Sequence, residues 1–164
     1  MKIDKCIKEQ DTIYTYDYYV PINVIFGQGD CISSFVIFKF GDQSIFEIGF
    51  DMVRKNICNI TLTSCNPGII KYGQPNTNIK SVKYGCPVLS IESKGEYFIE
   101  CNEPFKVYID DNALYITFSD IVSTNCIRNQ SVEFLLDDTN NLVSIGITEI
   151  SPNNLSMIKE SIFN

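Results

Sequence analysis

The sequence predicts an α+β fold: predominantly antiparallel β, with two similar hairpin-containing halves and a short C-terminal helix. Three observations predict it. One pattern is written twice: Phe46-Glu47-Ile48-Gly49-Phe50-Asp51 then Asn56 to Thr63, and Val132-Glu133-Phe134-Leu135-Leu136-Asp137 then Asn141 to Thr148. Each copy is a strand ending in Asp, a short polar turn, Asn-Ile or Asn-Leu, and a second strand ending Ile-x-Thr or its like. The composition favours pleated, half-buried surfaces, because Ile, Phe, Tyr, Val and Thr abound while Ala113 is the single alanine. Only the tail changes period, with Leu155, Ile158 and Ile162 at i, i+3 and i+7.

In chain order, the Tyr-rich alternation from Thr12 to Val20 reads as a long first strand, followed after Pro21 by a run from Ile22 to Phe26. The apolar, β-branched run from Ile32 to Phe40 ends at a Gly41-Asp42 turn, which feeds the first repeat hairpin at about 44–51 and 57–64. Residues 65–80, rich in Pro, Gly and Asn, read as the connection between halves spanning about 12–64 and 81–150. Strands are expected near 81–92, 95–101, 105–110 and 113–119, and the second repeat hairpin at about 131–137 and 142–150. Ser151 as cap and Pro152 at the first helical position open a helix over 152–163, its apolar stripe packed on a sheet.

At 164 residues the chain is expected to form a single domain, 1–164, with a proper core. No stretch approaches the roughly 18 apolar residues of a membrane span, and Lys8, Glu9 and Asp11 interrupt any signal-peptide core. Seven cysteines without CxxC spacing read as reduced, partly buried thiols of a cytoplasmic protein, with one or two disulfides as the alternative. The net charge of −7 is unevenly spread: residues 1–85 carry 9 Lys/Arg against 8 Asp/Glu, residues 86–164 carry 4 against 12. Such an acidic half repels nucleic acid and anionic membrane and attracts basic protein surfaces; the plainer reading is a solubilising face.

The chain contains no His, the commonest general base and transition-metal ligand. It has no Walker motif, no Gly-x-Ser-x-Gly and no HExxH, and Gly27-Gln28-Gly29 precedes a β-rich segment rather than a helix N-terminus. Neither a metal nor a cofactor is implied. Asp110-Asp111 and Asp137-Asp138 sit where strands enter turns. Neighbouring strand residues point to opposite faces, so local backbone hydrogen bonding is the default, with a cation site as the alternative. Tyr14, Tyr16 and Tyr18 fall on one face of the first strand, as core or as a protein-binding surface.

Tyr108 to Ile116, followed by Leu136 to Ile147, resembles a small uncharacterised bacterial β family with the pattern Tyr-Asp-x-x-x-Asp-Ala-Leu-Tyr-Ile … Asp-x-Asp-x-x-Gly-x-Leu-Val-Gly-Ile-Glu-Ile. Here Asn141 replaces the turn Gly, and Ser144-Ile145-Gly146-Ile147 replaces Val-Gly-Ile-Glu. The whole chain is similar in type to the immunity proteins of bacterial polymorphic toxin systems, including contact-dependent growth inhibition: short, acidic, motif-poor α+β chains.

That resemblance implies a non-enzymatic, cytoplasmic immunity protein. The expected partner is a cognate C-terminal protein toxin domain, a nuclease with a basic cleft, and neither nucleic acid nor membrane is expected as a partner. The candidate partner-binding carboxylates are Glu96, Glu100, Glu103, Asp110, Asp111, Asp137 and Asp138, with Tyr14, Tyr16 and Tyr18 as aromatic anchors. The alternatives are a structural or regulatory β module, self-associating through a strand edge, and a cation-dependent enzyme using Asp/Glu pairs.

Overall fold

The computed structural model describes residues 1–27, 33–41, 43–91 and 97–163. Two curved sheets enclose one hydrophobic core, and each is built around one copy of the repeat. In the first, β2 (Thr12–Thr15), β3 (Ile22–Phe26), β4 (Ser33–Phe40), β5 (Ser44–Asp51) and β6 (Ile57–Ser64) pair in the order β4-β5-β6-β3-β2, every pair antiparallel. In the second, β11 (Lys106–Ile109), β12 (Leu114–Thr117), β13 (Ser123–Asn129), β14 (Val132–Leu136) and β15 (Leu142–Ile147) pair as β13-β14-β15-β12-β11, again antiparallel throughout. The two orders are the same topology, so the sequence repeat is one visible part of a five-strand duplication.

The local reason is period-two alternation. Phe46, Ile48 and Phe50 of β5 are buried, as are Val132, Phe134 and Leu136 of β14, while Glu47 and Glu133 face outward between them. Both repeat turns are held alike. Asp51 Oδ1 accepts from the amides of Val53 and Arg54, and Asp137 Oδ1 from those of Thr139 and Asn141. Lys55 and Asn140, each just before the repeat's Asn, take positive φ of 61° and 65°. Aromatic contacts cross between the sheets: Phe26 to Phe134 at 6.0 Å, Phe38 to Phe118 at 4.5 Å, Phe46 to Phe105 at 6.3 Å.

Parallel strands extend each sheet. β10 (Phe98–Cys101) joins β4, while β7 (Ile70–Tyr72) and β8 (Thr77–Tyr84) join β11 and β13 at opposite edges of the second sheet. Six strand spacings would put those edges about 29 Å apart in a flat sheet, whereas residues 73–76 reach at most ~18 Å. The second sheet is therefore coiled upon itself, with β7 and β8 as two segments of one bent chain.

A ribbon of β1 (Lys2–Ile7) and β9 (Cys86–Ser90) relates the halves. Ile3 N donates to Asn140 O at 2.9 Å and Leu89 N to Lys55 O at 2.8 Å, and Ile3 and Leu89 are register partners. The ribbon thus rests equivalently on both repeat turns. Gly85 turns β8 into β9 at φ 142°, where a Cβ would meet Ile7 O at 1.9 Å. The helix α1 (Pro152–Phe163) buries Leu155, Ile158 and Ile162 in the shared core.

Several expectations are corrected. The Tyr-rich run is a strand only to Thr15, after which Asp17 N bonds Val20 O and the chain bends. Residues 65–80 are not a plain connection, since they hold a 3-10 turn at Pro67–Ile69, β7 and the start of β8. The run 81–92 is cut at Gly85, and the last repeat strand ends at Ile147. The β1 and β13 strands have no counterpart in the sequence reading: both are polar, and tertiary pairing overrides their composition. Cys58 is disulfide-bonded, against the expectation of reduced thiols, while Cys6, Cys65, Cys86, Cys101 and Cys126 are free. Cys31 and Asp42 lie outside the described residues. No helix among the described residues is long and apolar enough to cross a membrane.

Candidate functional site: an acid-rimmed groove

Register sorts the candidate carboxylates into two groups. Ile109, Leu114, Ile147 and Val132 align at one end of the second sheet, and Lys106, Thr117, Ser144 and Leu135 toward the other. Asp110 and Asp111 therefore sit at the first end, where Gln74 Nε2 donates to Asp110 Oδ2 at 2.6 Å. Glu103, Asp137 and Asp138 flank the second end. Glu100 lies on β10 and pairs with Lys39 at 2.6 Å. Glu96 lies outside the described residues.

At the second end Glu103 and Asp137 line one groove of about 170 Å³. Its apolar surface comes from Phe38, Phe118, Leu142 and Val143, with Ile121 beside them and 57 % exposed. The elements explain the convergence: β14 ends at Leu136, so its turn projects Asp137 and Asp138 past the sheet, while Glu103 arrives on the segment entering β11. Asp120, on the segment leaving β12, pairs with Lys106 at 2.6 Å.

The carboxylates differ in what they can do. Asp137 is only 7 % exposed and is committed to its own turn, accepting from Thr139 N and Oγ1 and from Asn141 N and Nδ2 at 2.8–3.0 Å. Burial opposes its charge, yet the bonds from Asn141 and Thr139 outweigh it and hold the carboxyl below its ordinary value. Asp137 is thus a structural acid that shapes the rim, whereas Glu103 and Asp138 are exposed.

The tyrosines divide too. Tyr14 and Tyr16 are half-buried against the core, and burial is the main cause that raises the Tyr16 phenol, which also bonds Asn154. Tyr18 remains an exposed candidate, 55 % accessible and edge-on to Tyr19 at 5.3 Å. Its backbone oxygen accepts from Ser161 Oγ at 2.7 Å, placing the pair beside α1.

Protein-family models and curated proteins yield no match to this chain. Its chemistry is read from its own side chains. Burial raises all five free thiols, Cys65 and Cys86 to about 12 and Cys126 to about 11, so none is a ready thiolate at neutral pH. Among the described residues no three Cys, Asp or Glu gather as a metal-binding group. The sequence could not single out Phe38, Phe118 and Ile121, because as isolated apolar residues they carry no signal until folding assembles them.

Proposed function

We propose that the protein is a non-enzymatic immunity protein that binds a cognate toxin domain, with a nuclease as the favoured target, and occludes its basic active-site cleft. The observation that supports this reading is the convergence of Glu103 and the Asp137–Asp138 turn on an apolar groove. The exposed Glu103 carboxylate in the groove and Asp138 on the adjoining turn steer a basic cleft toward it, and Phe118 and Ile121 supply the desolvated contact that holds it. Asp110 and Asp111, at the opposite end, leave the contact set, and Tyr14 and Tyr16 act as core. The reading carries a cytoplasmic location with it, against which the Cys58 disulfide stands as a counterweight.

The test is co-expression with the C-terminal portion of the protein encoded immediately upstream, followed by calorimetry on the purified pair. The reading expects a tight complex, rescue of cells from the fragment's toxicity, and steep weakening by salt. The double variant Glu103→Lys/Asp138→Lys should weaken binding at least about tenfold with the fold intact. A fragment that is harmless and does not associate sinks the immunity reading. A tight complex indifferent to the charge reversals would move the interface elsewhere.

A further inference from the structure

Cations in this acidic chain are segregated as sharply as its acids. Residues 52–91 contain Arg54, Lys55, Lys71, Lys80 and Lys83 and no Asp or Glu. Two of these lie on β8, which is eight residues long, ends the second sheet, pairs among the described residues with β13 alone and is exposed at every residue. Natural edge strands are commonly short, bulged or covered; β8 is irregular between Thr77 and Ser81, and Cys6 Sγ donates to Tyr84 O at 3.5 Å, but from Ser81 to Lys83 it leaves an exposed row of backbone donors and acceptors.

Its two faces differ in chemistry. Val82 and Tyr84 align with Cys126 and Arg128 on the outer face, and are 43 % and 67 % exposed. Ser81 and Lys83 align with Asn125 and Ile127 and line a groove whose other wall is β1, where Lys5 lies beside a single carboxylate, Asp4, so that two lysines face one acid. A register shift between Ile3 and Lys5 bulges β1 at this point, the kind of irregularity that re-aims a side chain. The Lys83 charge lies close enough to pull against the burial that raises the Cys6 thiol. Neither Lys5, Lys80 nor Lys83 pairs with a carboxylate among the described residues.

We infer that β8 is a docking edge for an acidic extended polypeptide segment, which adds to the sheet as a further strand. Side chains of an added strand alternate between faces. Acidic residues at alternate positions enter the groove between Lys83 and Lys5, and apolar residues between them cover Val82 and Tyr84. The occupant is therefore a segment alternating acidic and apolar residues. This edge lies apart from the acid-rimmed groove and does not rest on the toxin reading.

The experiment uses the full chain and a labelled eight-residue peptide alternating Glu and Val, followed by fluorescence anisotropy at low salt. Binding is expected, weakened at least about tenfold by Lys5→Glu/Lys83→Glu and lost when alternate peptide amides are N-methylated, since strand addition needs those N–H groups. Both lysines are exposed, so circular dichroism is expected to confirm an unchanged fold. The inference is overturned by no binding at millimolar peptide, by equal binding of the N-methylated peptide, or by indifference to the charge reversals. Concentration-dependent self-association that the peptide cannot displace would assign the edge to a second copy and overturn it as well.

Discussion

Asp51 and Asp137 occupy the same place in two copies of one turn and bear different loads. Asp51 accepts two amide bonds at the surface; Asp137 accepts four bonds while nearly buried. Asp137→Ala should cost about 2–3 kcal/mol, and Asp51→Ala about 1 kcal/mol, in urea unfolding. Because the folded Asp137 carboxyl lies below the ordinary 3.8, its contribution is complete above that pH and disappears as the pH falls through the lower folded value. Wild type should therefore lose more stability than Asp137→Asn on acidification below pH about 4; parallel pH profiles would contradict this account. At this scale the sequence was informative about turn chemistry: Asp at a strand end followed by Asn is read from residue type alone. Which of the two acids is buried was not legible, since that depends on the groove lining brought by Phe38 and Phe118.

Single elements divide by whether their signal is local. The repeat hairpin at 44–51 and 57–64 coincides with β5 and β6, and the helix over 152–163 with α1, because alternation, period, cap and Pro152 all lie within the element. Ile158→Ala should cost about 2–5 kcal/mol, as Ile158 is wholly buried, whereas Met157→Ala, on the exposed side, should stay within about 0.5 kcal/mol. Thermal melts of the two variants check it, and similar losses would place the helix stripe wrongly. The Tyr-rich run failed as a long strand for a physical reason. Its alternation persists to Tyr18, but Pro21 and the bonds of Tyr16 to Asn154 and of the Tyr18 backbone oxygen to Ser161, both on α1, bend the chain after Thr15. The β13 strand was missed because Asn125 and Asn129 satisfy their polar side chains only in place; Asn129 exchanges two bonds with the Gln10 backbone at 2.8 Å, 119 residues away in sequence.

Across the whole molecule the two copies cannot stand apart. The aromatic contacts cross from one sheet to the other, and the β1–β9 ribbon bonds to the turns of both. Unfolding should therefore be one cooperative transition, with tyrosine fluorescence and far-ultraviolet circular dichroism coincident in denaturant. Two separated transitions would mean the halves fold independently. Charge is distributed unlike the fold: acids cluster on turns at the ends of the second sheet, and the cations of residues 52–91 fall on the first repeat turn, β7 and β8.

The sequence by itself determined the β-rich class, the repeated hairpin, the C-terminal helix and the polarity of the two halves. Each is encoded by neighbours within a few residues, where steric preference, hydrophobic period and turn chemistry act directly. Only the tertiary structure decided that the repeat extends to five strands in a shared order. It also coiled the second sheet through β7 and β8, and split the carboxylates between two ends, leaving Glu103 and Asp137 on one apolar groove. Those outcomes depend on strand register and on contacts between residues far apart in the chain, which burial of a common core selects and local composition does not specify.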